Sequence, residues 1–305
     1  AEVRIRREVR EVRYCDFKSM YPTVNTLMGL WRFVIADGMV WRDGTAEARE
    51  LLERITLADL QLQETWRGLT MLARIRPDND LLPVRTKYDG KSSTIGLNRL
   101  TCRQSLWFTL ADLAAAKILS GKAPVIEEAI LFEPGPVQTD LKPINLLGDP
   151  APEMRIDPLA VDMFRRLVDL RDKTDGDAKS AIKIINNATS YGLFIEINAD
   201  EASNLEEMDV FGPDGAGVRC RSRAVEEPGK FFNPLALAER RTLDEGLGWV
   251  FCDTDSLAIA RPEDMKRGEF LRRVDRVVDW FQPLNPYAKP GSILKVEDLN
   301  LDPDT

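Results

Sequence analysis

The chain has 305 residues, 44% hydrophobic and 30% charged, which places it among globular chains and allows one large domain or two smaller ones. It has no histidine and a formal net charge of −8. Imidazole metal sites, Ser-His-Asp triads and imidazole acid–base chemistry are therefore excluded, and any basic footprint for nucleic acid has to be a local cleft in an acidic exterior. The cysteines Cys15, Cys102, Cys220 and Cys252 form no C-x-x-C pair, which argues against a zinc or iron–sulfur site and against a disulfide framework. No apolar run approaches a membrane span, and the N-terminus has no secretory pattern. A reducing intracellular compartment, cytoplasm or nucleoid, is expected, with no membrane partner.

Apolar and charged residues alternate over 1–17, which predicts a strand that delivers Asp16 at its end. The arginines along it read as a solvated face. Pro22 stands where a helix begins, running through Thr23 to Met28. Residues 39–44 read as a strand, and the apolar spacing over 46–76 predicts one or two amphipathic helices. Residues 78–80 and 88–93 read as loops. A helix is expected over 106–119, stopped at Ser120-Gly121, then a strand over 125–132 and a long Pro- and Gly-rich connection over 133–153. Residues 158–191 read as an antiparallel helix pair, opened at Pro158, turned at 172–177 and stopped at Gly192. Strands are expected at 193–198, 208–211 and 218–223, with a hairpin turn at 212–215. A helix over 231–246 precedes the apolar run Gly248–Cys252. Beyond it lie a second apolar run, Leu257–Ala260, a helix over 269–281 and a last strand over 292–296.

Three places carry chemistry. Asp253-Thr254-Asp255 joins the two apolar runs as a tight turn, and two carboxylates at the tip of a buried hairpin suit a hard cation such as Mg²⁺. A turn of Asx type without a ligand is the other reading, and taken alone the commoner one. The turn Phe17-Lys18-Ser19-Met20-Tyr21 leads into a helix N-terminus, where backbone N–H groups would face an anion. Lys179, Lys183 and Asn187 lie at i, i+4 and i+8 and share one helix face. That row suits a triphosphate or is a solvated stripe. Arg171, on the partner helix, is a weaker candidate for the same task.

At these three stretches, in order, the chain resembles the family B DNA polymerases. Asp16-Phe17-Lys18-Ser19-Met20-Tyr21-Pro22 is similar to their motif A (D-x-x-S-L-Y-P), Lys183 to Gly192 to motif B (K-x-x-x-N-S-x-Y-G), and Phe251 to Ser256 to motif C (Y-G-D-T-D-S). In motif B one residue is inserted, so that Lys183 and Tyr191 are eight positions apart where the family has seven. The resemblance implies an α+β fold: a polymerase palm, mostly antiparallel sheet with packed helices, plus a two-helix fingers insertion. The palm would take residues 1–157, with a helical and loop insertion at about 45–157. The fingers would take 158–192 and the second part of the palm 193–305.

It implies DNA-directed DNA polymerisation from deoxynucleoside triphosphates on primer–template DNA, with two Mg²⁺ and Mn²⁺ as a substitute. Asp16, Asp255 and the backbone of Phe17 would hold metal, and Asp253 would be a secondary carboxylate. Phe17, Lys18, Ser19, Met20, Tyr21, Lys183, Asn187, Arg171, Lys179 and Tyr191 would bind nucleotide, with Tyr21 as the gate against a 2′-hydroxyl. No exonuclease domain is expected before Asp16, and the stretch after Asp255 is short for the family's thumb and shows no K-x-Y motif. A second polypeptide or a missing segment would then supply the thumb or the exonuclease. The other readings are an inactive polymerase-fold subunit that binds nucleic acid or a partner, and a primase-like or template-independent nucleotidyltransferase.

Overall fold

The structure is a computed structural model and describes residues 9–88, 92–149, 151–190, 196–200, 205–210, 218–221, 234–253 and 255–299. In chain order its elements are β1 (Val12–Phe17), α1 (Met20–Leu27), α2 (Trp31–Val34), β2 (Met39–Asp43), α3 (Thr45–Arg54), α4 (Gln63–Arg67), β3 (Met71–Ile75), β4 (Asp78–Tyr88), β5 (Ser92–Thr101), β6 (Leu106–Thr109), α5 (Leu110–Ser120), β7 (Ile126–Pro134), β8 (Ile144–Asn145), β9 (Arg155–Ile156), α6 (Met163–Arg171), α7 (Gly176–Ala188), β10 (Glu196–Asp200), β11 (Leu205–Val210), β12 (Val218–Arg221), α8 (Pro234–Asp244), β13 (Gly248–Asp253), β14 (Ser256–Ala260), α9 (Arg267–Trp280) and β15 (Leu294–Leu299). The fold is mixed α+β, and its strand pairs are antiparallel. No helix among the described residues is long and apolar enough to cross a membrane. Two compact units divide the chain. The first takes Ala1–Lys18, Pro234–Asn285 and Gly291–Thr305, and the second Ser19–Asn233 and Pro286–Pro290.

The first unit is built on one sheet in the order β13-β14-β1-β15. Alternation along β1 puts Cys15 and Phe17 on the covered face, where they are 0% and 1% exposed. Helix α9 covers that face with Phe270, Val274 and Val277, whose 4-and-3 spacing makes one apolar stripe, all fully buried. Phe281, just past its end, meets Phe17 edge-on with ring centroids 5.1 Å apart. Just before β1, the buried Glu11 carboxylate pairs with Arg261 at 2.8 Å and Arg267 at 2.9 Å. A buried carboxylate needs such partners.

The second unit holds a sheet in the order β2-β7-β3-β6, with α3 and α5 packed on it. The 46–76 segment differs from its expectation. Helices α3 and α4 and a 3-10 turn at Asp59–Gln61 occupy its first part, but 71–75 is strand β3 with four of its five residues buried. A strand covered on both faces reads as a continuous apolar run, without the period that identifies strands. Residues 78–80 and 88–93 are not loops as a whole, because β4 and β5 form a long two-stranded ribbon. Residues 89–91, between β4 and β5 in sequence, lie outside the described residues. The expected helix over 106–119 is strand β6 followed by α5. Thr109 separates them by capping: its side-chain oxygen accepts from the Asp112 N–H at 3.1 Å. Helix α5 stops at Gly121 with φ 75°, as Ser120-Gly121 predicts. Lys117 on α5 closes the end of α3, its ammonium donating to the carbonyls of Leu52 at 2.9 Å and Ile55 at 3.0 Å.

Asp112 is buried. Its Oδ2 bonds the Thr109 hydroxyl at 2.7 Å, and Oδ1 has no partner. Burial pushes its carboxyl up to about 6 from 3.8, against the pull of the Thr109 contacts. A raised acid costs the fold nothing below the unfolded value, where both states are protonated. It destabilises increasingly as pH rises through the folded value. Asp112→Asn is expected to gain about 1–3 kcal/mol at pH 8 and nothing near pH 3. Urea unfolding at both pH values tests this, and a gain independent of pH would refute it.

The helix pair is present as α6 and α7, which pack on each other. Its first helix starts later than Pro158, at Met163, because the Asp162 carboxylate caps it by accepting from the Arg165 N–H at 3.2 Å. Leu167, Leu170 and Ile182 form its core with Leu146, Met154 and Ile156. The last six described strands include β10-β11-β12, a three-stranded sheet. The 212–215 turn expected beside it lies outside the described residues.

Candidate active site

The candidates fall into two groups, one in each unit. In the first unit, β14 pairs with both β13 and β1, so the two carboxylate stretches are neighbours. The register sets Asp16 opposite Ser256 and Ser256 opposite Asp253. The Phe17 N–H donates to the Asp255 carbonyl at 2.8 Å. Asp16 and Asp255 thus stand at the same end of the two inner strands, rather than at the edge of the sheet. Asp16 alternates with the buried Cys15 and Phe17, so its side chain is on the opposite face, half-buried. Asp255 is half-buried in the turn. Asp253 ends β13, but its side chain and Thr254 lie outside the described residues.

Two further residues join this row, and sequence reasoning missed both. Ser256 is 1% exposed and sits between Asp16 and Asp253 in register. Lys295 on β15 pairs with Asp16 from the other side and is exposed. The signal for Lys295 is a lone cation in the apolar run Ile293-Leu294-Lys295-Val296, of which Ile293 and Leu294 are fully buried. Its register with Asp16 appears only once β15 is paired to β1.

The donor chemistry of the row is all oxygen. Burial pushes the Cys15 and Cys252 thiols up to about 12, and Cys15 lies on the covered face, opposite to Asp16. Adjacent carboxylates at strand ends, half-exposed, fit a hard cation such as Mg²⁺ or Mn²⁺ that keeps part of its water shell. Among the described residues no group of three or more Cys, Asp and Glu side chains gathers as a metal cluster.

The turn after Asp16 differs from its expectation at two positions. The Phe17 N–H is taken by Asp255, and the Lys18 N–H by the Ile293 carbonyl at 2.8 Å. Neither faces an anion, because both extend the pairing of β1. Phe17 contributes a core ring instead. Ser19 begins the second unit and has φ 46° and ψ 59°, the left-handed region, at the N-cap of α1. A non-glycine residue there costs of order 1–3 kcal/mol. Its buried hydroxyl has no partner. Helix α1 begins at Met20, earlier than expected, with Pro22 in its first turn, where no N–H is needed. Tyr21 is half-buried on it.

The other nucleotide candidates of the second unit lie on the helices packed against α1. α1 packs on α6 and α7, and the Asn25 amide donates to the Ser190 carbonyl beyond α7 at 3.4 Å. Lys179 and Lys183 are exposed on α7, Asn187 is half-buried beside them, and Arg171 is half-buried at the end of α6. Asn186 is 0% exposed, and neither atom of its amide has a partner. Tyr191 and Gly192 lie outside the described residues.

No family model matches the chain. No curated protein matches it. Among solved structures it is similar to Phi29 DNA polymerase (orthorhombic crystal form), with a TM-score of 0.39 and 13% identity over 95% of this chain. The chain spans 43% of that polymerase.

Proposed function

We propose that the chain is a DNA-directed DNA polymerase of the family B kind, which adds deoxynucleotides to a primer 3′-hydroxyl. One observation carries the reading. Asp16 and Asp255 come from opposite ends of the sequence, in the two stretches that resemble motifs A and C, and the fold sets them at adjacent strand ends. Mg²⁺ held by Asp16, Asp255 and the Phe17 carbonyl would supply charge neutralisation at the phosphates and activation of the 3′-hydroxyl for in-line displacement. Lys295, in register with Asp16, offers a cation to a polyanion beside them. Lys183, with Lys179, Asn187 and Arg171, binds triphosphate oxygens through charge-assisted bonds. Tyr21 lies against the sugar and excludes a 2′-hydroxyl.

Primer extension on a primed template tests this, with Mg²⁺ and deoxynucleotides. Templated, Mg²⁺-dependent addition is expected. A folded protein that extends nothing at saturating DNA overturns the reading in favour of an inactive subunit, and untemplated addition overturns it in favour of another nucleotidyltransferase. Tyr21→Ala is expected to raise ribonucleotide use relative to deoxynucleotide by about 10–100-fold, the scale on which a pocket rejects an added hydroxyl. Competition between the two sugars measures it, and unchanged discrimination removes the gate from Tyr21.

A further inference from the structure

We propose that Tyr287 is a positioning residue for the nucleotide side of this site, a strut that fixes the rotation of α1 and its spacing from α6. The inference rests on the polymerase reading above. Tyr287 lies in Pro286–Pro290, which belongs to the second unit although the residues on both sides belong to the first. Prolines 283, 286 and 290 restrict this segment, and Gly291 follows at φ +123°. Such a segment loses little entropy when it is held in place.

Two consecutive residues of it reach two different helices. The Tyr287 hydroxyl bonds the Thr23 hydroxyl on α1 at 2.6 Å, with Tyr287 6% and Thr23 1% exposed. The Ala288 N–H donates to Asp169 Oδ1 on α6 at 2.9 Å. Tyr21 lies two residues before Thr23, and Arg171 two residues after Asp169. Residues two apart on a helix point roughly 200° from each other. Thr23, anchored on the inner side of α1, therefore sets the aim of Tyr21 on the outer side.

Helix α1 needs such an anchor. It has eight residues, too few for a stable helix without tertiary support, and its N-cap makes no side-chain bond. The charged groups around the Tyr287 hydroxyl are Arg171, Asp162 and Asp169. Burial holds that hydroxyl above its ordinary range, and the Thr23 bond and Arg171 offset this only in part. Tyr287 stays protonated and does no acid–base work, so its contribution is geometric.

The test is Tyr287→Phe, which keeps the ring, together with Thr23→Val and the double variant, in single-nucleotide extension by the full chain. The expected result is a KM for deoxynucleotide raised about 5–20-fold with kcat changed less than about twofold, because ground-state and transition-state binding are lost together. Ribonucleotide discrimination falls in parallel, and the double variant is no worse than the worse single one. Lower stability with KM and discrimination unchanged would overturn the proposal, since a purely structural bond predicts that pattern. Additive effects of the two substitutions would overturn it as well. If the parent extends no primer, the polymerase reading fails on its own, and the strut is read from hydrogen exchange. Faster exchange of the α1 amides in Tyr287→Phe is the expected outcome, and unchanged protection there refutes the strut.

Discussion

Asp255→Asn is expected to abolish nucleotide addition, by about 10³-fold or more, while the protein stays folded. The substitution removes one carboxylate charge at the strand ends but changes the shape of the side chain little. It keeps the Asp255 carbonyl that accepts from the Phe17 N–H, and with it the pairing of β1 and β14. A loss of 10³ in rate corresponds to roughly 4 kcal/mol of transition-state stabilisation, a scale that fits a charge held in place before the reaction. Asp16→Asn is expected to behave alike, from the neighbouring strand. Rapid-quench extension measures the rates, and circular dichroism with a urea titration reports on the fold. Extension by Asp255→Asn within a few-fold of the parent would remove this carboxylate from the reaction, and with it the main support for the proposed function.

The largest effect on stability is expected at Phe281→Ala, about 3–5 kcal/mol. Phe281 is 0% exposed, meets Phe17 edge-on at 5.1 Å and Trp280 at 4.8 Å, and lies under the sheet that carries Asp16. Truncation to alanine removes the ring, its edge-to-face contacts and the packing around them. Single domains are stable by about 5–15 kcal/mol, so the loss takes a large share of the total. Phe281→Leu should fall between the two. The urea midpoint is the measurement, and a shift worth less than about 1 kcal/mol would show that the first unit does not depend on this ring.

The residues that made the site legible in the sequence are those whose pattern is local. Alternation over 1–17 (of which 12–17 is strand β1 and 1–8 lie outside the described residues), the Asp-Thr-Asp turn between two apolar runs and the helical face of Lys179, Lys183 and Asn187 each need only a few neighbours in sequence. The structure carries them on β1, on β13 and β14, and on α7. What was not legible depends on partners far away in the chain. Strand β3 is covered on both faces and so lacks a period of its own. Strand β6 runs into α5 within one apolar stretch, and only the capping geometry of Thr109 separates them. The β4–β5 ribbon contains Pro, Asn and Asp, which read as loop residues, yet it pairs from Asp78 to Tyr88 with one register shift, at Asn79. Lys295 and Tyr287 gain meaning only from β1 and α1, each more than 250 residues away in the chain.

The division of the chain has a consequence for taking the molecule apart. The first unit is assembled from three separate stretches, and the second returns for five residues after the chain has left it. Neither is a continuous segment that could be expressed alone and keep its interior. A fragment ending at Asn233 would bury the Thr23 hydroxyl without Tyr287 and leave Asp169 without the Ala288 N–H. An insertion of that size within the first unit is nonetheless affordable for a polymer, since each doubling of a loop adds only about 0.6 kcal/mol to the entropy of closing it. Lengthening the intervening chain thus costs little in closure entropy, whereas the return at 286–290 carries the Tyr287 and Ala288 bonds to α1 and α6.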